Sequence, residues 1–136
     1  MRESGGEALQ VTQTGGFVPI ESPDGKFVYY MKGYGDGRIW KVPSQGGKEF
    51  EVLGPIFRRD FDVAQDGIYF IPESSSSKSP APGVHFFSFA TGEIKSIASI
   101  ENPWSNYLTV SPDGRWILYP KLELEGSDLM LVENFR

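Results

Sequence analysis

An all-β fold built from a repeated unit is what the sequence predicts, and three observations predict it. Ser22-Pro23-Asp24-Gly25 recurs letter for letter as Ser111-Pro112-Asp113-Gly114, and Ala64-Gln65-Asp66-Gly67 between them keeps the Asp-Gly pair. Each copy leads into an apolar, aromatic-rich segment: Phe27-Val28-Tyr29-Tyr30-Met31, Ile68-Tyr69-Phe70-Ile71 and Trp116-Ile117-Leu118-Tyr119. No window holds a sustained helical period, and β-branched and aromatic residues dominate the apolar runs. Asp-Gly between such runs marks a hairpin, because glycine takes the positive φ that a tight turn requires. The three glycines are 42 and then 47 residues apart, so the repeat period lies in the mid-forties.

Aligning the chain on Asp-Gly predicts four strand types per repeat. The first precedes the turn, at 17–21, 59–63 and 106–110, and the second follows it. The third covers 38–42, 85–89 and 128–132. The fourth is 48–53, preceded by Gly46-Gly47, and 93–98, preceded by Thr91-Gly92. Residues 7–12, Glu-Ala-Leu-Gln-Val-Thr preceded by Gly5-Gly6, share this fourth pattern and alternate polar with apolar as a half-buried strand does. The outer strand of the last repeat therefore stands at the N-terminal end of the sequence. Four short antiparallel strands per repeat of this length describe a β-propeller blade, and the displaced strand describes the overlap by which one terminus completes a blade begun by the other. The expected organisation is a single three-blade unit over 1–136. Blade 1 covers about 17–53 and blade 2 about 59–98. Blade 3 covers about 106–132, with outer strand 7–12 coming from the same or a second chain.

The Ser-Pro-Asp-Gly-Lys/Arg-aromatic pattern at 22–27 and 111–116 resembles the WD40-like (PD40) repeat of TolB-type propellers. Blade 2 departs from the pattern, with Ala64-Gln65 for Ser-Pro and no Lys or Arg after Gly67. The C-terminal stretch 128–136 is similar to the ends of long bacterial propeller proteins, some of which carry an N-terminal winged-helix domain. The resemblance covers nearly the whole chain. It implies a propeller that serves as a protein-interaction module.

Three blades are fewer than the four to eight that typically close a ring. An open arc leaves two apolar sheet faces and a strand edge wet, which favours association. A blade junction of ordinary interface size buries about 800 Å² per partner. The expectation is a homodimer forming a six-bladed ring, in which 7–12 of each chain complete the third blade of the other. The rival expectation is that the missing blades belong to a longer chain.

Composition excludes several functions. A formal net charge of −5 with no Lys/Arg block argues against nucleic acid and anionic membranes as partners. No apolar run approaches the roughly 20 residues of a membrane-spanning helix. With no cysteine there is no disulfide and no thiol chemistry. Neither an apolar leader nor an Asn-x-Ser/Thr sequon marks a compartment.

Catalytic candidates are few. No Gly-x-Ser-x-Gly occurs, and the single histidine, His85, has no nucleophile and acid pointing to it in the sequence. Its alignment with Arg38 and Asp128 suggests a polar rim position. Asp60 and Asp62 lie two apart on a strand, where they would share a face. Arg58 and Arg59 adjoin them, so ion pairing is the simpler reading than a cation site. Asp24, Asp66 and Asp113 read as turn residues that cap backbone amides. Gly33-Tyr34-Gly35-Asp36-Gly37 precedes no helix and no Lys-Ser/Thr, so it is a loop rather than a phosphate cradle. The Ser/Pro-rich 73–83 is its counterpart in blade 2. No cofactor, metal or catalytic residue is expected.

Propeller topology sends the second-to-third strand loops and the blade-to-blade loops to one end. Those segments contain Phe17, Tyr34, Phe57, Arg58, Arg59, Trp104 and Asn106, and aromatics with arginine are the usual interface anchors. The functional expectation is a non-enzymatic scaffold that binds a protein or peptide through this end. The alternative is an accessory, gating propeller of a larger enzyme such as a prolyl-oligopeptidase-type peptidase, or of a winged-helix regulator. A lectin-like ring is a third reading.

Overall fold

The computed structural model describes residues 8–12, 15–32, 37–72, 83–99, 108–123 and 126–133. Their secondary structure is entirely β, in three antiparallel sheets. Sheet 1 contains β1 (Phe17–Glu21), β2 (Phe27–Met31), β3 (Ile39–Pro43) and β4 (Phe50–Leu53), paired in chain order. Sheet 2 repeats that order with β5 (Ile56–Val63), β6 (Gly67–Pro72), β7 (Gly83–Ser88) and β8 (Ile94–Ser99). Sheet 3 has three strands, β9 (Thr109–Val110), β10 (Trp116–Glu123) and β11 (Gly126–Glu133).

Strand alternation assigns each side chain to one of two faces, and the sheets stack through those faces. Tyr29, Met31 and Ile39 of sheet 1 meet Phe61, Ile68 and Phe70 of sheet 2 in one buried cluster. On the opposite face of sheet 2, Tyr69, Ile71 and Val84 meet Ile117 and Tyr119 of sheet 3 in a second cluster. Sheet 2 is therefore apolar on both faces, and β6 is buried along Gly67 to Ile71. Unbroken apolar runs are how a strand covered on both sides reads in sequence.

The two Ser-Pro-Asp-Gly turns have the same construction. Ser22 Oγ donates to Asp24 Oδ1 (2.7 Å) and accepts from the Phe27 N–H (3.1 Å), and the Lys26 N–H donates to Asp24 Oδ1 (2.9 Å). Ser111, Asp113, Arg115 and Trp116 repeat the arrangement at 2.6–3.0 Å. Gly25 and Gly114 stand at φ 73° and 71°, the left-handed region that favours glycine.

Blade 2 is built differently at this point. The last pairs before the turns are Glu21–Val28, Val110–Ile117 and Val63–Ile68, so the middle hairpin is two residues tighter. Register makes Gly67 the counterpart of Phe27 and Trp116, not of Gly25. A Cβ on Gly67 would stand 2.0 Å from the Phe87 carbonyl oxygen, so close strand approach is what requires glycine there.

Over its described part, 8–12, the predicted outer strand forms no strand within the single chain and joins no sheet there. It lies at the other end of the arc. Val11 Cα passes 3.7 Å from where a Cβ on Gly46 would be, and the Gly16 backbone sits against the Tyr30 ring on the outer face of sheet 1. One expectation is corrected: Phe57 and Arg58, expected in a loop ahead of a strand at 59–63, belong with Arg59 to the backbone of β5, which starts at Ile56. A register irregularity between Ile56 and Phe61 keeps this non-alternating stretch within the strand.

Candidate functional site

Three regions of the arc bring chemistry-bearing side chains together. At the turn end, a cleft of about 620 Å³ lies between the hairpins of the three blades. Glu21, Asp62, Asp66 and Asp113 line it, with Val63 and Val110 at its base. Asp62 spans two blades there: Oδ1 accepts from the Val63 N–H (2.9 Å) and Oδ2 from the Val110 N–H of β9 (2.8 Å). Burial raises its pKa against the lowering effect of those two amides.

The turn carboxylates behave oppositely. The Lys26 amide and the Ser22 hydroxyl lower the Asp24 pKa, and the Ser111 hydroxyl and Arg115 amide lower that of Asp113. Depressed carboxylates contribute stability that is complete above the unfolded value of about 3.9 and lost as pH falls through the folded values. The raised Asp62 contributes below its unfolded value and loses that contribution as pH rises through its folded one. Melting temperature is therefore expected to fall below about pH 4, and the Asp24→Asn, Asp113→Asn double variant to show a flatter fall. Melting profiles of equal slope for the two proteins would contradict the capping role.

The second region is a groove of about 730 Å³ on the sheet 3 side of sheet 2. Tyr69, Phe86, Phe89 and Ile97 form its apolar wall, with Lys95 and Asp66 beside them. At the junction of sheets 1 and 2 the equivalent tyrosine, Tyr29, is covered by Phe89, whose ring stacks on it at 5.7 Å.

The third region is the pair of arc ends. On sheet 3, residues directly opposite on β10 and β11 project to one side, so Leu118 and Leu131 share a face, as do Pro120 and Leu129. This is the face turned away from sheet 2. Leu118, Leu131 and Leu129 are 39%, 53% and 73% exposed. At the opposite end, the outer face of sheet 1 carries Tyr30, Trp40, Val28 and Val42 in matching pairs. Tyr30 Oη donates to Glu49, Lys32 Nζ lies 3.6 Å from Glu49 and 3.8 Å from the Trp40 ring centre. Leu9, in the segment that lies over this end, is 61% exposed.

Of the residues expected at the loop end, Phe17 opens β1 opposite Met31 and packs partly buried against the first core cluster. Tyr34, Trp104 and Asn106 lie outside the described residues, as do the side chains of Phe57, Arg58 and Arg59. His85 is within β7 rather than at a rim. It is half-buried opposite Phe70 and Ser96, and burial lowers its pKa. Asp60 is buried to 1% exposure, whereas Asp62 is half-buried and used between blades. The leucine row of sheet 3 was not singled out by sequence, although Leu129-Met-Leu-Val132, apolar without alternation, is the pattern of a strand covered on both faces.

Stacked antiparallel meanders of four, four and three strands among the described residues, whose inner strands meet at one side, define the class: the fold is that of a partial β-propeller. Solved structures agree. TolB from Acinetobacter baumannii superposes with a TM-score of 0.69 at 18% identity, over 92% of this chain and 32% of TolB. The tricorn protease superposes with a TM-score of 0.53 at 14% identity, over 85% of this chain and 12% of the protease. The chain thus spans about a third of TolB, and likeness at these identities concerns the fold alone. No family model and no curated protein matches the sequence.

Proposed function

We propose that this chain is a non-enzymatic propeller arc, an interaction module that closes a ring with a second copy of itself and presents its loop end to a protein or peptide. The observation that carries this reading is the mismatch of the two arc ends. Sheet 3 is one strand short among the described residues and turns a leucine row outward, while the outer-strand pattern at 8–12 rests at sheet 1 without a strand partner. Two copies supply six sheets, inside the range that closes a ring. The non-enzymatic part is supported by the use already made of the reactive groups: the Ser22 and Ser111 hydroxyls are held in their turns, and His85 is packed beside Phe70.

A second reading is favoured by one comparison. Because the arc superposes on a small part of the tricorn protease, it also fits an accessory propeller segment within a longer peptidase chain. Melting at several protein concentrations separates the two. A ring closed by a second copy melts higher as concentration rises from about 1 to 100 μM, because dimerisation stabilises only the folded state. A melting temperature independent of concentration would contradict closure by self-association.

A further inference from the structure

We propose that residues 8–12 of a second copy form the fourth strand of sheet 3, antiparallel to β11, in a register that sets Leu9 opposite Leu131. This deepens the ring reading and rests on it. The register follows from the two complete sheets. In sheet 1 the cross-strand row runs Tyr29, Lys41, Phe50, and in sheet 2 it runs Tyr69, Phe86, Lys95. Both outer strands also shift register at the same place, between Ile39 and Trp40 and between Val84 and His85. Phe50 and Lys95 are each the third residue of their six-residue outer-strand pattern, and Leu9 is the third of 7–12. In sheet 3 the same row begins Leu118, Leu131. The transferred register ends it with Leu9, puts Gln10 opposite Met130, and leaves Val11 at the shift.

The side chains fit this placement. Leu118, Leu131 and Leu9 are all exposed in the single chain, and the exchange brings them into one continuous row on one face. That face of one copy then covers the outer face of sheet 1 of the other, where Val11 of the donated segment already passes beside Gly46 and Gly16, just after the segment, sits against Tyr30. The occupant is a second copy because the complementary pattern, the exposed leucine and the β11 edge, unpaired among the described residues, belong to the same sequence.

The chain has no cysteine, so introduced thiols report single contacts. Leu9→Cys and Leu131→Cys are made in separate chains, co-expressed, and treated with a short thiol-to-thiol crosslinker. Circular dichroism confirms that each variant is folded, and light scattering gives the mass. The expected result is a covalent dimer in the co-expressed sample and none from either variant alone. A dimeric mass without that crosslink, or with crosslinking only from Ala8→Cys, overturns the proposed register while leaving the ring reading standing. A monomeric mass for folded wild-type and variant chains overturns both.

Discussion

Aspartate at both Leu118 and Leu131 is expected to leave the chain folded and to make it monomeric. The two side chains face each other across β10 and β11 on the outward side of sheet 3 and are 39% and 53% exposed. In the single chain their carboxylates would be solvated, so the cost to the fold is that of surface substitutions plus the repulsion of two like charges directly opposite on neighbouring strands, about 1–2 kcal/mol together. In the ring both positions are covered. Each leucine then contributes about 1.5–3 kcal/mol by burial, and a buried unpaired carboxylate adds a penalty of its own. A loss of about 4 kcal/mol per junction weakens association roughly 1000-fold, and a two-fold ring has two such junctions. Size-exclusion chromatography with unchanged circular dichroism checks this. A folded double variant that still dimerises would place the interface elsewhere.

Phe61→Ala is expected to cost about 3–5 kcal/mol, the usual range for emptying a large aromatic site in a core. Phe61 is 2% exposed and lies in the cluster that joins sheet 1 to sheet 2, among Tyr29, Met31, Ile68 and Phe70. Deleting its ring opens a cavity at the junction itself, so the sheets lose their hold on each other as well as local contacts. Against a total stability of about 5–15 kcal/mol this is a large fraction. Urea denaturation followed by tryptophan fluorescence measures it. A midpoint shift equivalent to less than about 1 kcal/mol would mean that the junction packs through other residues.

Much of the fold is legible in the sequence because the repeat writes the same physics more than once. Ser-Pro-Asp-Gly announces its turn, since Ser22 and Asp24 have no better partners than the amides of Lys26 and Phe27, and the second copy repeats the geometry. Asp66-Gly67 misleads for the same reason. It keeps the letters, but its glycine is required by the approach of Phe87 on the neighbouring strand, a tertiary fact that alignment on Asp-Gly cannot reveal. The start of β5 is hidden similarly, because Phe57-Arg58-Arg59 lacks alternation and is carried in the strand by a register shift.

The candidate surfaces are less legible than the fold. Residues 7–12 read as an outer strand by pattern alone, yet a strand needs an edge, and within one chain the described part of this segment stands at sheet 1, away from the edge of β11. Leu129 and Leu131 look like core residues, and only the stacking of Met130 and Val132 on sheet 2 shows that their own face is turned outward. Spacing pairs Asp62 with Asp60, whereas the inter-blade bond to Val110 depends on how β5 meets β9.

Closure of the ring by a second copy is tested most directly by multi-angle light scattering of the purified chain between about 1 and 100 μM, the range in which a specific dimer of moderate affinity assembles. Ring closure predicts a single species of twice the 15.2 kDa chain mass at the upper concentrations. A folded species that keeps the 15.2 kDa mass throughout would contradict it.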